Sequence, residues 1–332
     1  MSDSTAPTAS REALENLVAE ADTGARKPSG RVRRLIFVIA LCWALFQLWY
    51  ASPLPYLFNV GVVNDGQARV IHLCFAFLLA FTSFPAFKRS PRDRVPVADW
   101  ILAGLGIVAA GYLLLFYREL SQRSGLPTTP DVIVSVIGVL LLLEAARRAV
   151  GPALAVIGAL MLIYIFAGPW MPGLMAHKGT SLARASSQMW LTSEGIFGVA
   201  LGVSTNVVFF FVLFGSLLEK AGAGNYFIQL AFALLGTFRG GPAKAGVVAS
   251  GMTGMISGSS VANTVTTGTF TIPLMKRVGY TAVKAGAIEC AAGVNGQLMP
   301  PVMGAAAFLI AEYVGITYAD VVKHAFVPAF LT

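Results

Sequence analysis

The residues best suited to chemistry lie together in the middle of an apolar run near the C-terminal end. The run 245–275 carries a cluster of Ser, Gly, Asn and Thr at its centre. Hydroxyl and amide oxygens are hard ligands without a fixed charge, so they suit a monovalent cation such as sodium. An exposed helix N-terminus after a turn carries partial positive charge, which suits a carboxylate. The cluster therefore predicts a site for sodium and an anionic solute.

Basic residues flank this run on both sides, with Arg239 and Lys244 before it and Lys276 and Arg277 after it. A spanning helix would put the two basic groups on opposite faces of a membrane, whereas the positive-inside rule prefers both in the cytoplasm. Split at its centre, each half has about 15 residues and a length of about 22 Å, which is short of the roughly 30 Å of hydrocarbon. The run therefore predicts a re-entrant hairpin over 244–276 that turns at Ser-Gly-Ser. A packing face between ordinary membrane helices is the alternative, because small residues recur there at helical spacing.

A second break follows the hairpin. Residues 281–294 predict a helix, and Pro300 and Pro301 stop it because proline lacks a backbone donor. The sequence continues apolar to Ile310, so we expect a broken transmembrane helix over 281–311. A broken helix beside a re-entrant hairpin is the layout of a midplane transport site. A loop between two shorter helices is the alternative.

One acidic residue of this region, Glu289, has two interpretations. An ionisable residue within a span is a candidate functional group. Lys284, however, lies little more than one turn away, which favours a surface position where Glu289 pairs with a basic neighbour.

Composition sets the class of protein. Of the 332 residues, 56% are hydrophobic and 12% are charged, whereas soluble domains carry about 25% charged residues. Segments of short alternating hydrophobicity, the pattern of a β-barrel, are not seen. The net charge of +8 arises from basic residues at the ends of apolar runs, which indicates membrane topology rather than a nucleic-acid partner. Three separated histidines and hairpin serines without a nearby base do not predict an enzyme.

Long apolar runs predict an all-α, polytopic helical membrane protein, with the hairpin and the broken helix of an ion-transporter-like elevator half. Positive charge alternates between successive loops, which places the N-terminus in the cytoplasm. A cleaved signal peptide is the alternative for the first run. The runs cover 35–50, 70–87, 97–117, 132–146, 152–167 and 195–218.

The chain divides into three segments. Residues 1–30 are polar and predict a disordered cytoplasmic tail. Residues 31–150 predict a four-helix module, and Gly151-Pro152 begins a new helix and the segment 151–332. Residues 168–193 predict an outer loop with a short interfacial helix near 183–191.

The region from Phe209 to Leu331 resembles the first half of the large membrane subunit of TRAP transporters (tripartite ATP-independent periplasmic transporters). The form GQLMPPVMG is similar to the TAXI branch, whose permeases carry additional N-terminal helices fused to the large subunit. The resemblance rests on FGSLLEKAG (214–222), FRGGPAKAGVVAS (238–250), GMISGSSVANTVTTGT (254–269), IPLMKRVGY (272–280) and GQLMPPVMGAAAF (296–308).

This resemblance implies a sodium symporter of the bacterial cell inner membrane that works by an elevator movement. A periplasmic TAXI-type binding protein would deliver an organic acid or amino acid that bears a carboxylate. Sodium would be the coupling ion, with no other cofactor, and would bind at Ser257, Ser259 and Asn263. Residues 31–150 would form a scaffold like the family's small subunit. The substrate and sodium site would comprise Ser257, Gly258, Ser259, Ser260, Asn263, Thr264, Thr267, Asn295, Gly296, Gln297, Pro300 and Pro301.

Two positions depart from many relatives of other branches: Asn263, where Asp or Thr is common, and Val302, where Ser is common. The family site is built by two inverted repeats, whereas this sequence carries one hairpin and one broken helix before Thr332. We therefore expect a fragment of a longer chain or a truncated gene product. The alternative function is a structural subunit without a transport site of its own.

Overall fold

The computed structural model describes residues 24–331 apart from 27, 88, 124, 259, 301 and 302. Most of the predicted tail lies outside the described residues. Every regular element in the described part of the chain is helical, which confirms the all-α class. Among the residues that the structure describes, six helices are long and apolar enough to cross a membrane, as expected for a polytopic membrane protein. They are Gly30–Ala51, Asp65–Ser83, Val97–Leu115, Thr129–Ala149, Pro152–Trp170 and Val199–Lys220.

The chain forms two compact units, which we call the N-terminal unit (residues 24–205) and the C-terminal unit (residues 206–331). The N-terminal unit includes two π-helical stretches, Ser187–Leu191 and the start of Ser204–Val208. Its helices are α1 (Gly30–Ala51), α2 (Leu54–Phe58), α3 (Asp65–Ser83), α4 (Val97–Leu115), α5 (Tyr117–Gln122), α6 (Thr129–Ala149), α7 (Pro152–Ala167), α8 (Leu182–Ser186) and α9 (Val199–Val203).

Large side chains fill the core of the N-terminal unit, among them Phe77 and Phe81 from α3. Trp190 comes from the predicted outer loop, where the expected short helix is present, yet its side chain is fully buried in this core. The indole nitrogen donates a hydrogen bond to the carbonyl oxygen of Ala109 at 3.2 Å. Gly138 of α6 makes room for the ring, because a Cβ there would lie 2.3 Å from Trp190 Cζ2.

A buried ion network ties the ends of three helices of this unit to the segment before α1. The Asp99 carboxylate pairs with Arg26 at 2.5 Å and with Arg148 at 2.7 Å. Glu144 pairs in turn with Arg147 and Arg148, each at 2.7 Å. Arg26 also donates to backbone carbonyl oxygens after α3 and near its end. The buried charges of Arg26, Asp99 and Arg148 are therefore all paired within the protein.

The C-terminal unit contains shorter helices. They are α10 (Phe209–Lys220), α11 (Ala223–Leu235), α12 (Gly241–Ser257), α13 (Ser260–Arg277), α14 (Ala282–Gly296), α15 (Ala305–Val314) and α16 (Tyr318–Leu331).

Helices α12 and α13 form the predicted hairpin. Gly258 ends α12 with φ of +62°, a left-handed conformation that glycine adopts without steric cost, and its N–H caps the carbonyl of Gly254 at 3.1 Å. Contacts along the two arms join Ser250 to Thr267 and, further from the turn, Gly246 to Thr271, the order expected of antiparallel helices. The two arms have 17 and 18 residues, which is two or three more than the sequence predicted. At about 1.5 Å per residue, each arm is roughly 26 Å long.

Helices α14 and α15 lie where the sequence predicted a broken helix over 281–311. Its first half begins at the Thr281 cap, where the side-chain oxygen accepts from the N–H of Lys284 at 3.3 Å. The half ends at Gly296, and α15 starts at Ala305. Between them the N–H of Gly304 donates to the carbonyl of Gln297 at 2.8 Å, which closes the break into a compact loop.

Candidate ion and substrate site

Glycines allow the hairpin and the first half of the broken helix to approach each other closely. A Cβ on Gly254 of α12 would lie 2.6 Å from the Cα of Gly296 on α14. A Cβ on Gly293 would lie 2.2 Å from the hydroxyl oxygen of Thr264 on α13. Because atoms other than hydrogen cannot approach this closely, only glycine fits these crossings. The polar side chains of α12, α13 and α14 are therefore brought together in one layer.

Asn263 is the centre of this polar layer. Its side chain is fully buried, and Nδ2 donates to the carbonyl oxygen of Ser250 at 2.8 Å and to Ser250 Oγ at 3.0 Å. A carbonyl oxygen can only accept, so this contact fixes which end of the amide faces Ser250. The amide oxygen Oδ1 points elsewhere. Among the described side chains of the C-terminal unit, Oδ1 is the only buried polar atom without a hydrogen-bond partner.

Glu289 lies in the same layer, and the interpretation favoured by its sequence position is wrong. The residue is fully buried rather than at a surface, and its partners are hydroxyl groups rather than a basic neighbour. One carboxylate oxygen contacts the hydroxyl of Thr267, and the other lies 2.5 Å from that of Thr271. Proximity to Lys284 along the sequence did not decide the position, because the α14 face that carries Glu289 packs against α13.

The break in the broken helix lies beside the turn of the hairpin. A Cβ on Gly304 would lie 3.9 Å from the carbonyl oxygen of Gly258. Met303 is buried with φ of +56°, a conformation that costs a residue with a side chain on the order of 1 kcal/mol. Irregular backbone of this kind inside a membrane protein is tolerated where protein buries it or where it lines a cavity. Strain held at such a place is typical of functional sites.

The structure brings most of the predicted site residues together. Asn263, Thr264 and Thr267 line the face of α13 that meets α12 and α14. Gly296 lies at the helix crossing, and Gln297 and Pro300 lie in the break. Gly258 and Ser260 flank the turn.

Asn295 is the exception. Its side-chain nitrogen donates to the carbonyl of Ala329 on α16 at 3.0 Å, which is a partner outside the polar layer. Ser259 and Pro301 lie outside the described residues, and for Ser257 only the backbone position at the end of α12 is described.

The sequence-based set missed Ser250, Thr271 and Glu289. Each of them lies one helical turn from a residue of the interface: Thr271 follows Thr267 by four positions, and Glu289 precedes Gly293 by four. Residues four apart share a helix face. This spacing could have placed them on the packed faces of their helices, although not in contact with one another.

Apart from the carboxyl group of Glu289, this layer offers the neutral oxygen atoms of amide and hydroxyl groups. Within the described parts of the chain, no group of three or more His, Cys, Asp or Glu could hold a metal ion. A site for zinc or another transition metal would need such a group. The unpaired amide oxygen of Asn263 instead fits a hard monovalent cation or a ligand N–H group.

A multi-pass helical membrane protein with a helical hairpin packed on a third helix through a buried polar layer resembles the layout of midplane transport sites. The model of one family, described as "Tripartite ATP-independent periplasmic transporter, DctM component", matches residues 137–332. The chain therefore belongs to this family. No solved structure matches the chain.

Curated relatives match part of the same region. The C4-dicarboxylate TRAP transporter large permease protein DctM of Vibrio cholerae is 34% identical over 128 residues, which is 39% of this chain and 27% of the relative. The protein of the same name from Pseudomonas aeruginosa is 38% identical over 92 residues, or 28% of this chain and 22% of the relative. The 2,3-diketo-L-gulonate TRAP transporter large permease protein YiaN of Escherichia coli is 29% identical over 92 residues, again 28% and 22%. The chain spans about a quarter of the length of the curated relatives that it matches.

Proposed function

We propose that the chain is part of the permease of a sodium-coupled, binding-protein-dependent secondary transporter of the TAXI type. It imports an organic solute that bears a carboxylate across the bacterial inner membrane by an elevator movement. Family membership supports the transporter class. Two of the relatives are named for C4-dicarboxylates and 2,3-diketo-L-gulonate, which supports a carboxylate-bearing solute.

The observation that carries the proposal is the unpaired, buried amide oxygen of Asn263. Leaving a buried acceptor unsatisfied costs about 1–3 kcal/mol, so a ligand that binds there gains that free energy. The oxygen lies on the hairpin arm that begins at Ser260, close to the turn at Gly258. We assign sodium to the hairpin turn, with Ser257, Ser259 and Asn263 as its ligands. The solute carboxylate then binds near the start of α13 and the break at 297–304, where helix-end amides are available.

The two segments that the sequence predicted on either side of residue 150 have different roles in this proposal. Residues 31–150 form a scaffold that stays fixed in the bilayer, whereas residues 151–332 carry the first half of the moving transport domain. The N-terminus is cytoplasmic, and the hairpin enters the membrane from that side, because its ends carry Arg239, Lys244, Lys276 and Arg277. A TAXI-type periplasmic protein delivers the solute from the other side.

Uptake into liposomes tests the proposal. The full-length gene product is reconstituted together with its periplasmic binding protein, and a panel of radiolabelled dicarboxylates and amino acids is supplied with an inward sodium or potassium gradient. We expect uptake with sodium only. Replacing Asn263 by Ala removes the proposed ligand and is expected to raise the half-saturating sodium concentration by about tenfold or more.

Asn225, an exposed residue of α11, provides the matched control. Asn225→Ala should leave the sodium dependence of uptake unchanged. Sodium dependence of Asn263→Ala equal to that of the parent would remove Asn263 from the site. Uptake that is equal in both gradients would refute sodium coupling, and absence of uptake for the whole panel would favour a structural subunit.

A further inference from the structure

The carboxylate of Glu289 is buried without a cationic partner. Its side chain is fully inaccessible, and the ion pairs of the described residues do not include it. Its oxygens contact the hydroxyl groups of Thr267 and Thr271 on the neighbouring arm of the hairpin. An ionised carboxylate in a protein interior is costly unless it is paired, because two neutral donors replace only part of the lost hydration. An ionised Glu289 would therefore require a further charge partner.

Hydroxyl groups connect this carboxylate to the side-chain amide of Asn263. The hydroxyl oxygen of Thr267, which contacts Glu289, lies 3.4 Å from Ser250 Oγ and 2.7 Å from the carbonyl oxygen of Asn263. Ser250 Oγ in turn accepts from Asn263 Nδ2 at 3.0 Å. The charged group and the unsatisfied oxygen are thus two ends of one buried network.

A single monovalent cation at the free oxygen of Asn263 would relieve both deficits. It would supply the missing partner of the amide oxygen, and it would place a positive charge in the same buried network as the carboxylate, where charges interact more strongly than in water. Each carboxylate oxygen contacts a hydroxyl of the hairpin, and Thr267 and Ser250 lie between the carboxylate and the Asn263 amide in the network. Glu289 would therefore attract the ion from a distance rather than coordinate it.

We infer that Glu289 is the counter-charge of the cation site, a positioning residue held away from the ion by Thr267 and Thr271. This inference rests on the proposed sodium site at Asn263. It adds a residue from the broken helix to a site otherwise assigned to the hairpin. It also explains why the cluster at the hairpin turn consists of neutral side chains: the negative charge is supplied from α14.

Radiolabelled sodium binding to the purified full-length gene product, with uptake in liposomes as a second readout, tests this inference. Glu289→Gln keeps the shape of the side chain and removes its charge. We expect the half-saturating sodium concentration to rise about tenfold, while the maximal uptake rate at saturating sodium stays within about twofold. Glu312→Gln, a loss of the same charge at an exposed position of the same unit, is the matched control and should change neither value.

A rescue variant separates lost charge from altered packing. The double variant combines Glu289→Gln with Thr271→Asp. The carboxylate then comes from position 271 and the neutral group from position 289, on opposite sides of the 2.5 Å contact. We expect sodium affinity to return to within about threefold of the parent, because the charge has moved by only one side-chain contact. The single and double variants are both compared with the parent by thermal unfolding. If the single variant does not fold, the sodium affinity of the double variant is the test.

Three results are decisive. Parent-like sodium affinity in a folded Glu289→Gln protein overturns the inference, because a charge that can be removed without effect is not a counter-charge. Failure of the double variant to recover affinity also overturns it in favour of a packing role. If the parent itself binds no sodium, it is the proposed function that fails, and the two failures are therefore distinguished.

Discussion

The two units bury their charges in opposite ways. In the N-terminal unit, the buried carboxylate of Asp99 lies between two guanidinium groups, Arg26 and Arg148. In the C-terminal unit, the buried carboxylate of Glu289 contacts hydroxyl groups, and the ion pairs of the described residues leave it out. The first arrangement is complete, whereas the second lacks a positive charge. The comparison suggests that one network stabilises the fold and that the other is completed by an ion.

The two units also differ in the size of the side chains that fill their cores. Aromatic and leucine side chains fill the N-terminal core, including Phe77, Leu141 and Trp190. In the C-terminal unit the buried apolar clusters are small and rich in alanine, as with Ala245 and Ala249, and close contacts occur at glycines. Helices that meet through small residues can approach closely without interlocking large side chains. Such interfaces would suit the movement that we propose for the transport domain.

The largest effect is expected where the complete network is broken. Asp99→Asn removes the charge shared by Arg26 and Arg148, so that the buried Arg26 guanidinium loses this carboxylate and Arg148 retains only Glu144. Loss of one member of a buried ion pair costs about 3–5 kcal/mol. We expect a clear fall in the thermal unfolding midpoint in detergent, with no change in sodium affinity among the molecules that remain folded.

Asp93→Asn is the control for this experiment, because Asp93 is an exposed aspartate of the same unit. Its unfolding midpoint should match that of the parent. If Asp99→Asn were as stable as the control, the Asp99 network would not stabilise the fold. The contrast with the Glu289 carboxylate would then be contradicted.

An intermediate effect is expected at the glycine crossing. Gly254→Ala places a methyl group 2.6 Å from the backbone of Gly296, so α12 and α14 must move apart. Overpacking of this kind costs about 1–3 kcal/mol. Because the crossing also aligns Asn263, uptake should fall together with stability. Gly286→Ala is the matched change, since no atom lies within 4 Å of a Cβ at that helical position; a parent-like Gly254→Ala protein beside it would contradict the close crossing.

The sequence predicted the helices well because length, hydropathy and proline are local properties. The run 97–117 became Val97–Leu115, and the hairpin turn fell at Gly258 inside the predicted Ser-Gly-Ser stretch. Gly151-Pro152 begins a helix as expected, with φ of +110° at the glycine. Each of these features depends on residues close together in the chain.

The site was less predictable because it depends on which helix faces meet. The sequence alone gave no reason to join Ser250, Asn263 and Glu289, which come from α12, α13 and α14. Asn295 lies in the predicted motif, yet its side chain faces α16. Trp190 is similar, since its burial depends on the space left by a distant glycine on α6. These contacts follow from helix crossings, which hydrophobic periodicity does not specify.

The smallest effect is expected at the helix caps, which test whether the contrast between the units is confined to their buried groups. Asn64 caps α3 in a reciprocal pair, accepting from the N–H of Gln67 at 2.8 Å while the Gln67 side chain accepts from the N–H of Asn64 at 3.0 Å. Thr281 caps α14 through one longer contact of 3.3 Å. We expect about 1 kcal/mol of destabilisation for Asn64→Ala and about half of that for Thr281→Ala.

Thr281 begins the helix that carries Glu289, but its hydroxyl is exposed and separate from the buried network. The half-saturating sodium concentration should therefore be the same in both variants and in the parent. A shift in Thr281→Ala alone would mean that fraying of α14 displaces Glu289. The counter-charge would then depend on the position of the whole helix rather than on the contacts with Thr267 and Thr271.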